Sequence, residues 1–261
     1  MKISGNTILV TGGGSGIGLA LAEEFQRLGN EVIVAGRSKA KLEAAKSKGL
    51  KTFAVDMTSE KSIKDLASQA IAQHPALNVV IHNAGIMENE KLTSRDTAKT
   101  ATETVATNLL GPIYLTNALL PHFLKQKAAT IVTVTSGLAF VPLVMTPTYS
   151  ATKAAIHSYT QSLRYQLKDT AVEVKELVPP YVRTSLMGER QAADPYAMPL
   201  DEFVSEVFSI LRDQPQAEEI LVKRVHPQRF AGFDLSKYEE FFKKQTETVM
   251  TARKQEWDAL G

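Results

Sequence analysis

Cysteine is missing from all 261 residues, which excludes disulfides, thiol nucleophiles and cysteine-ligated metal centres. The five histidines are scattered without metal-ligand spacing, so no metal site is expected. No apolar run reaches the roughly 18 residues of a spanning helix. Met1-Lys-Ile-Ser-Gly-Asn6 leads directly into a strand-like stretch with no signal-peptide pattern, so a cytoplasmic protein with no membrane partner is expected. Charge of one sign is lacking too. Thirty Lys+Arg stand against 28 Asp+Glu, and dense basic blocks are absent beyond pairs such as Lys243-Lys244, so nucleic acid is not implied. Linkers, low-complexity tracts and internal repeats are also absent. With 44% hydrophobic residues the chain can bury one large core, and residues 1–261 read as a single domain.

What is present is an alternation. Short β-branched runs at 7–10, 31–35, 51–55, 78–82, 129–135, 171–177 and 219–223 are separated by longer segments with apolar residues at helical spacing, at 39–48, 59–73, 96–125, 149–168 and 201–213. Strands such as Val79-Val-Ile81 and Ile131-Val-Thr-Val134 are apolar on both faces, as a parallel sheet covered by helices requires. Right-handed crossovers then predict a Rossmann-like, doubly wound α/β fold of about seven strands.

The run Thr11-Gly-Gly-Gly-Ser-Gly-Ile-Gly18 joins the first strand to the first helix. A turn this tight needs positive φ, and a Cβ would hold the backbone away from a diphosphate. The helix beginning near Ser15 points unpaired N–H groups and a positive dipole end at such an anion. Dinucleotide binding is the leading expectation. The second strand ends at Gly36 followed by Arg37, where an Asp or Glu would select NAD(H) by accepting from the ribose 2′-hydroxyl. Arg37 could instead hold a 2′-phosphate through its forked donors, with Ser38 adding a hydroxyl, which favours NADP(H) over NAD(H). A solvated loop arginine is the alternative.

Three further stations lie at strand ends. Asn83-Ala-Gly85 follows the fourth strand and Ser136 follows the fifth, while Tyr149 and Lys153 stand one turn apart on one helix face. A free phenol titrates near pH 10, so Tyr149 needs a neighbouring ammonium to shuttle protons at neutral pH, and Lys153 is placed to supply it. Ser136 could hold the substrate oxygen. Singly, each residue has a structural alternative: a loop cap, a buried ring, a wet helix face.

Taken together these elements resemble the single-domain branch of the short-chain dehydrogenase/reductase family, over about residues 5–190. The TGxxxGxG turn is Thr11–Gly18, the acidic adenine contact Asp56, the NNAG element His82-Asn-Ala-Gly85, and the tetrad Asn108, Ser136, Tyr149 and Lys153. The resemblance implies that Tyr149 is general acid in carbonyl reduction and general base in alcohol oxidation. It implies that Lys153 binds the nicotinamide ribose and that Asn108 holds a water in the proton relay. Cofactor contacts are then expected at Gly12, Gly14, Ser15, Gly16, Ile17 and Gly18, at Arg37, Asp56, Met57, Asn83, Ala84 and Gly85, and at Tyr149, Lys153, Pro179, Val182 and Thr184. A homodimer or homotetramer is expected.

Departures from the family pattern stand beside it. His82 replaces an Asn, and Pro180 replaces the usual Gly in Val178-Pro-Pro-Tyr-Val-Arg-Thr184, removing an N–H beside the nicotinamide site. The usual glycine-rich finish gives way to Leu221-Val-Lys-Arg-Val-His-Pro227 and a charged helical extension, 230–261, with Tyr238, Phe241, Phe242, Val249 and Met250 near helical spacing. That extension could pack on its own domain, form a dimer contact or cover the site. By the resemblance, the loop 137–145 and a lid at 185–200 wall the pocket. Their apolar residues favour a lipophilic ketone, aldehyde or secondary alcohol as the small-molecule substrate. Two function classes stay open: an NADP(H)-dependent carbonyl reductase, and a cofactor-binding regulator or scaffold with little turnover. An epimerase of the extended relatives is disfavoured, because their TGxxGxxG turn and longer substrate domain are missing.

Overall fold

The computed structural model describes residues 1–93 and 96–259, and the side chains of these except Leu235 and Ser236. Seven strands, Thr7–Thr11 (β1), Glu31–Gly36 (β2), Lys51–Ala54 (β3), Leu77–His82 (β4), Ala129–Val134 (β5), Val172–Val178 (β6) and Glu219–Leu221 (β7), form one parallel sheet in the order β3-β2-β1-β4-β5-β6-β7. The expected strands are all there, with ends moved by a residue or two.

Period-two alternation sends each strand's apolar residues to opposite faces. On one face Ile8, Val10, Val34, Ile81 and Val132 pack with Leu21 and Phe25 of Gly16–Arg27 (α1), with Leu42 of Lys39–Ser47 (α2), and with residues 200–213. On the other, Leu9, Ile33, Val80 and Ile131 pack with Ile63 and Leu66 of Glu60–Gln73 (α3) and with residues 111–123.

The segment expected as one helix over 96–125 is Ala98–Val105 (α4), a π turn at Ala106–Leu110, and Gly111–Phe123 (α5). In the π turn the Gly111 N–H reaches back five residues to the Ala106 carbonyl. Pro147–Leu167 (α6) starts two residues before Tyr149, with Pro147 in its first turn, where a missing N–H costs nothing.

After β6 come Glu189–Ala193 (α7), Leu200–Asp213 (α8), His226–Phe230 (α9), Leu235–Ala252 (α10) and Lys254–Asp258 (α11). Among the described residues no helix is long and apolar enough to cross a membrane. Chain order reverses at β1, which lies between β2 and β4, so crossovers leave it in opposite directions and open a crevice at the carboxyl ends of the strands.

Candidate active site

That crevice is a cavity of about 1530 Å³, larger than one small molecule needs. The glycine turn forms one end. Gly12 and Gly16 have φ of +66° and +55°, and a Cβ on Gly12 would stand 2.8 Å from Ala84 Cα. Gly12, Gly14, Ser15, Gly16 and Ile17 line the cavity. Gly18 lies behind it, where a Cβ would meet Asn83 Nδ2 at 2.4 Å and Gly12 O at 2.6 Å, so its glycine lets helix and strand close on each other. Ser15, the N-cap of α1, makes no side-chain cap bond, and the first turn holds no acidic residue. The positive end of the helix is thus left to an external anion. Ser15 Oγ instead accepts from Lys41 Nζ at 3.1 Å.

Asn83 binds the turn: its Nδ2 donates to Thr11 O at 3.1 Å and Gly12 O at 3.3 Å, and the N–H groups of Asn83 and Ala84 both donate to Thr11 Oγ1 at 3.1 Å. His82, in place of the family's Asn, is buried, with Nε2 2.9 Å from Thr116 Oγ1. Burial pushes its imidazole down to about 3, so it is neutral. Arg37, Ser38 and Lys41 line the cavity beside Gly36. Ser38 also caps α2 by accepting from Lys41 N–H at 3.4 Å. Lys41 escaped the sequence reading, although its place three residues past the capping serine points it back toward the glycine turn. Met57 lines the cavity, whereas Asp56 does not: its Oδ1 accepts from Thr58 N–H at 2.9 Å and Thr58 Oγ1 at 2.8 Å, bonds that hold its pKa below the ordinary value.

Ser136, Tyr149 and Lys153 meet on the cavity floor, 8%, 8% and 5% exposed. Ser136 Oγ accepts from Leu138 N–H at 3.1 Å, and its hydroxyl lies beside the Tyr149 phenol. Burial raises that phenol to about 12, against the lowering effect of Ser136. Lys153 Nζ donates to Val134 O at 2.7 Å and lies 5.5 Å from the Tyr149 ring centroid, and burial lowers it to about 8. The ammonium was expected to depress the phenol, but desolvation dominates here. Asn108 sits in the π turn behind Gly85, outside the cavity lining. Its Oδ1 accepts from Ile86 N–H and its Nδ2 donates to Ile86 O, both at 2.9 Å.

Glu90, buried and not anticipated, holds the start of α6. Its oxygens accept from Thr148 N–H at 3.0 Å and Thr148 Oγ1 at 2.8 Å, next to Tyr149. The carboxylate supplies the cap that Thr146 does not.

Pro179, Val182 and Thr184 border the cavity as expected. Despite Pro180, the chain is held here: Pro179 O accepts from Gly137 N–H at 3.0 Å, and around the Val182–Met198 bridge Arg183 N–H donates to Met198 O while Met198 N–H donates to Tyr181 O, both at 2.8 Å. Gln191 ties the lid by donating to Val182 O at 2.8 Å and Thr184 Oγ1 at 3.2 Å. The extension lies against the site, with Gln245, Thr248, Val249 and Arg253 in the lining beside Gln228 of α9. The extension packs on its own domain and borders the cavity. The residues present fit a dinucleotide: an uncapped helix end, glycines whose Cβ atoms would collide, and cationic side chains at the far end.

Comparison with known proteins agrees. The family model for short chain dehydrogenase matches residues 6–195. An uncharacterised oxidoreductase, DltE, of Bacillus subtilis (strain 168) is 40% identical over 237 residues, covering 88% of this chain and 93% of its own. The crystal structure of a short chain dehydrogenase from Burkholderia cenocepacia J2315 in complex with NADP superposes with a TM-score of 0.79 at 22% identity, covering 93% of this chain and 99% of that one. One from Burkholderia phymatum in complex with NAD gives 0.74 at 21%, covering 90% and 96%. The chain belongs to the short chain dehydrogenase family and is an oxidoreductase.

Proposed function

We propose that the chain interconverts a carbonyl compound and a secondary alcohol with NADP(H), acting on a lipophilic substrate as a cytoplasmic homodimer or homotetramer. The observation that carries this reading is the meeting of buried Ser136, Tyr149 and Lys153 on the floor of a cavity whose other end is the uncapped glycine turn. When bound, NADP(H) supplies or takes up a hydride. The turn at Gly12–Ile17 would hold its diphosphate, Arg37 and Lys41 the 2′-phosphate, and Met57 the adenine side. Asn83, Ala84, Gly85, Pro179, Val182 and Thr184 would border the nicotinamide, and Tyr149 and Lys153 its ribose. The solved relatives bind NAD in one case and NADP in the other. The cation pair beside Gly36, with no acidic residue there, is what favours the phosphorylated cofactor.

In reduction, Tyr149 donates its phenolic proton to the carbonyl oxygen while the Ser136 hydroxyl holds that oxygen. A phenol raised to about 12 keeps its proton at neutral pH, as an acid must before the reaction. Lys153, at about 8, is still charged at pH 7 and stabilises the phenolate left behind. With one hydrogen on Val134 O it keeps two donors for the ribose. Because the Asn108 side chain is engaged with Ile86 and Thr152, any water it holds in the relay is bound through its main chain.

The test is NADPH oxidation against a panel of ketones and aldehydes with wild type and Tyr149→Phe. The variant should lose about 10²- to 10⁴-fold in kcat while its NADPH Kd stays near wild type. Retention of more than half of kcat would overturn the assignment of Tyr149. NADPH binding with no turnover of any carbonyl would favour the regulator.

A further inference from the structure

Position 137, directly after Ser136, has no side chain, and something else fills its place. A Cβ on Gly137 would stand 2.1 Å from Gln228 Oε1, so the amide of Gln228 from α9 occupies that space, and it lines the cavity. Its orientation follows from its partners. Gln245 Nε2 lies 3.3 Å from Pro142 O and 3.5 Å from Val141 O, which can only accept, so this end of the amide must be the NH₂. Gln245 Oε1 then accepts from Gln228 Nε2 at 3.1 Å. The relay leaves Gln228 Oε1 over Gly137, one residue past Ser136, and among the described residues no N–H or O–H donates to it.

The relay is held firmly. The neighbouring Arg229 donates through Nε and Nη2 to Glu219 at 2.7 and 2.9 Å and lies 4.8 Å from the Phe140 ring centroid. Phe140 in turn packs edge-on to His157 at 4.7 Å. His157 Nδ1 lies 2.9 Å from the fully buried Glu176, whose other oxygen accepts from Thr135 Oγ1 at 2.7 Å, one residue before Ser136. The Arg229–Glu219 pair and the contacts of Phe140, His157, Glu176 and Thr135 thus form a scaffold that fixes Gln228 relative to Ser136.

We propose that Gln228 is a specificity-determining residue, and that the preferred substrate carries a hydrogen-bond donor, a hydroxyl or protonated amine, on the carbon next to the reacting carbon. A lone carbonyl oxygen rewards a donor there and repels a carboxylate or phosphate. The apolar wall of Leu138, Leu143, Met187 and Val249 takes the rest of the molecule. This rests on the carbonyl–alcohol reading above.

Hydroxyacetone and 2-butanone, which differ by a hydroxyl for a methyl, provide the test. With NADPH, wild type should favour hydroxyacetone about tenfold or more in kcat/KM, and Gln228→Leu should bring the ratio to within about twofold of one. Gln245→Leu should lower the ratio as well, because the Gln228 amide is then free to turn. NADPH affinity and Tm verify that each variant is folded, and Gln228→Met replaces Gln228→Leu if the latter is not. A wild-type ratio near one, or a ratio unmoved by the folded Gln228 variant, overturns the proposal. In that outcome Tyr149-dependent reduction of both ketones leaves the carbonyl reading standing. Absence of any carbonyl turnover overturns both.

Discussion

The carboxyl edge of the sheet and the segment after β6 face each other across one cavity and build their walls by different means. At the sheet edge the backbone does the positioning. Gly12 and Gly18 let strands, turn and Asn83 approach to distances no side chain permits, and Asn83 is bonded to the main chain of the turn. Across the cavity, side chains on helices do it: Gln191 ties the lid, Gln228 and Gln245 pair, Arg253 donates to Tyr181 Oη at 3.1 Å, and half-exposed Arg190 pairs with Glu256. A wall fixed by main-chain contact tolerates little change, whereas one fixed by side chains on helices can vary its chemistry without disturbing the sheet. The first suits an invariable cofactor and the second a choice of substrate.

If the contrast is sound, perturbations should weaken from the first wall to the second. Arg37→Ala should raise KM for NADPH by roughly 10- to 150-fold while changing KM for NADH little, the range expected of charge-assisted hydrogen bonds. Lys41→Ala should move it in the same direction by less. Steady-state kinetics with both cofactors decides, and an unchanged NADPH/NADH ratio would make Arg37 a solvated loop residue.

His82 sharpens the comparison through pH. Its folded pKa of about 3 lies below the 6.5 of a free imidazole, so the unfolded chain takes up the proton first on acidification. This contribution to stability is complete above pH 6.5 and is lost as pH falls toward 3, by about 1.4 kcal/mol per pH unit within that window. Urea unfolding at pH 7, 5.5 and 4.5 should show a smaller acid loss in His82→Asn. Parallel losses would place the sensitivity elsewhere.

The smallest effect belongs to the lid. Removing the half-exposed Arg190–Glu256 pair by Arg190→Ala should cost under about 1 kcal/mol and shift substrate KM by less than about fivefold. The difference from wild type should shrink as salt rises. A shift beyond tenfold that persists in 0.5 M salt would mean that the second wall is as rigid as the first.

The same contrast explains what could be read from the sequence. The glycine turn, the strand-end stations and the Tyr149/Lys153 pair were legible because each is a local pattern forced by backbone geometry or helix spacing. Gln228 and Glu90 were not, since each acts on a segment dozens of residues away and nothing in its own neighbourhood marks it. Ala106-Thr-Asn-Leu-Leu110 reads as ordinary helix, and its π turn has no compositional signal. The extension showed its helical period but not its destination, because an amphipathic face does not name its partner. The phenol's upward shift was missed because Lys153 is a visible neighbour in sequence, while desolvation is a property of the closed cavity.

The position of β1 also has a consequence during synthesis. β1 is made before the other six strands of the sheet yet lies inside it, and Ile8 must pair with Val79 as well as Val32. At about 5–20 residues per second, a ribosome needs roughly 4–14 s to deliver the second partner. For that interval one edge of an apolar strand stands open, as nascent parallel sheets must. The glycine turn proposed to hold the diphosphate is flanked by this waiting strand, so a chaperone shielding residues 7–11 would guard the candidate site before any of its floor has been translated.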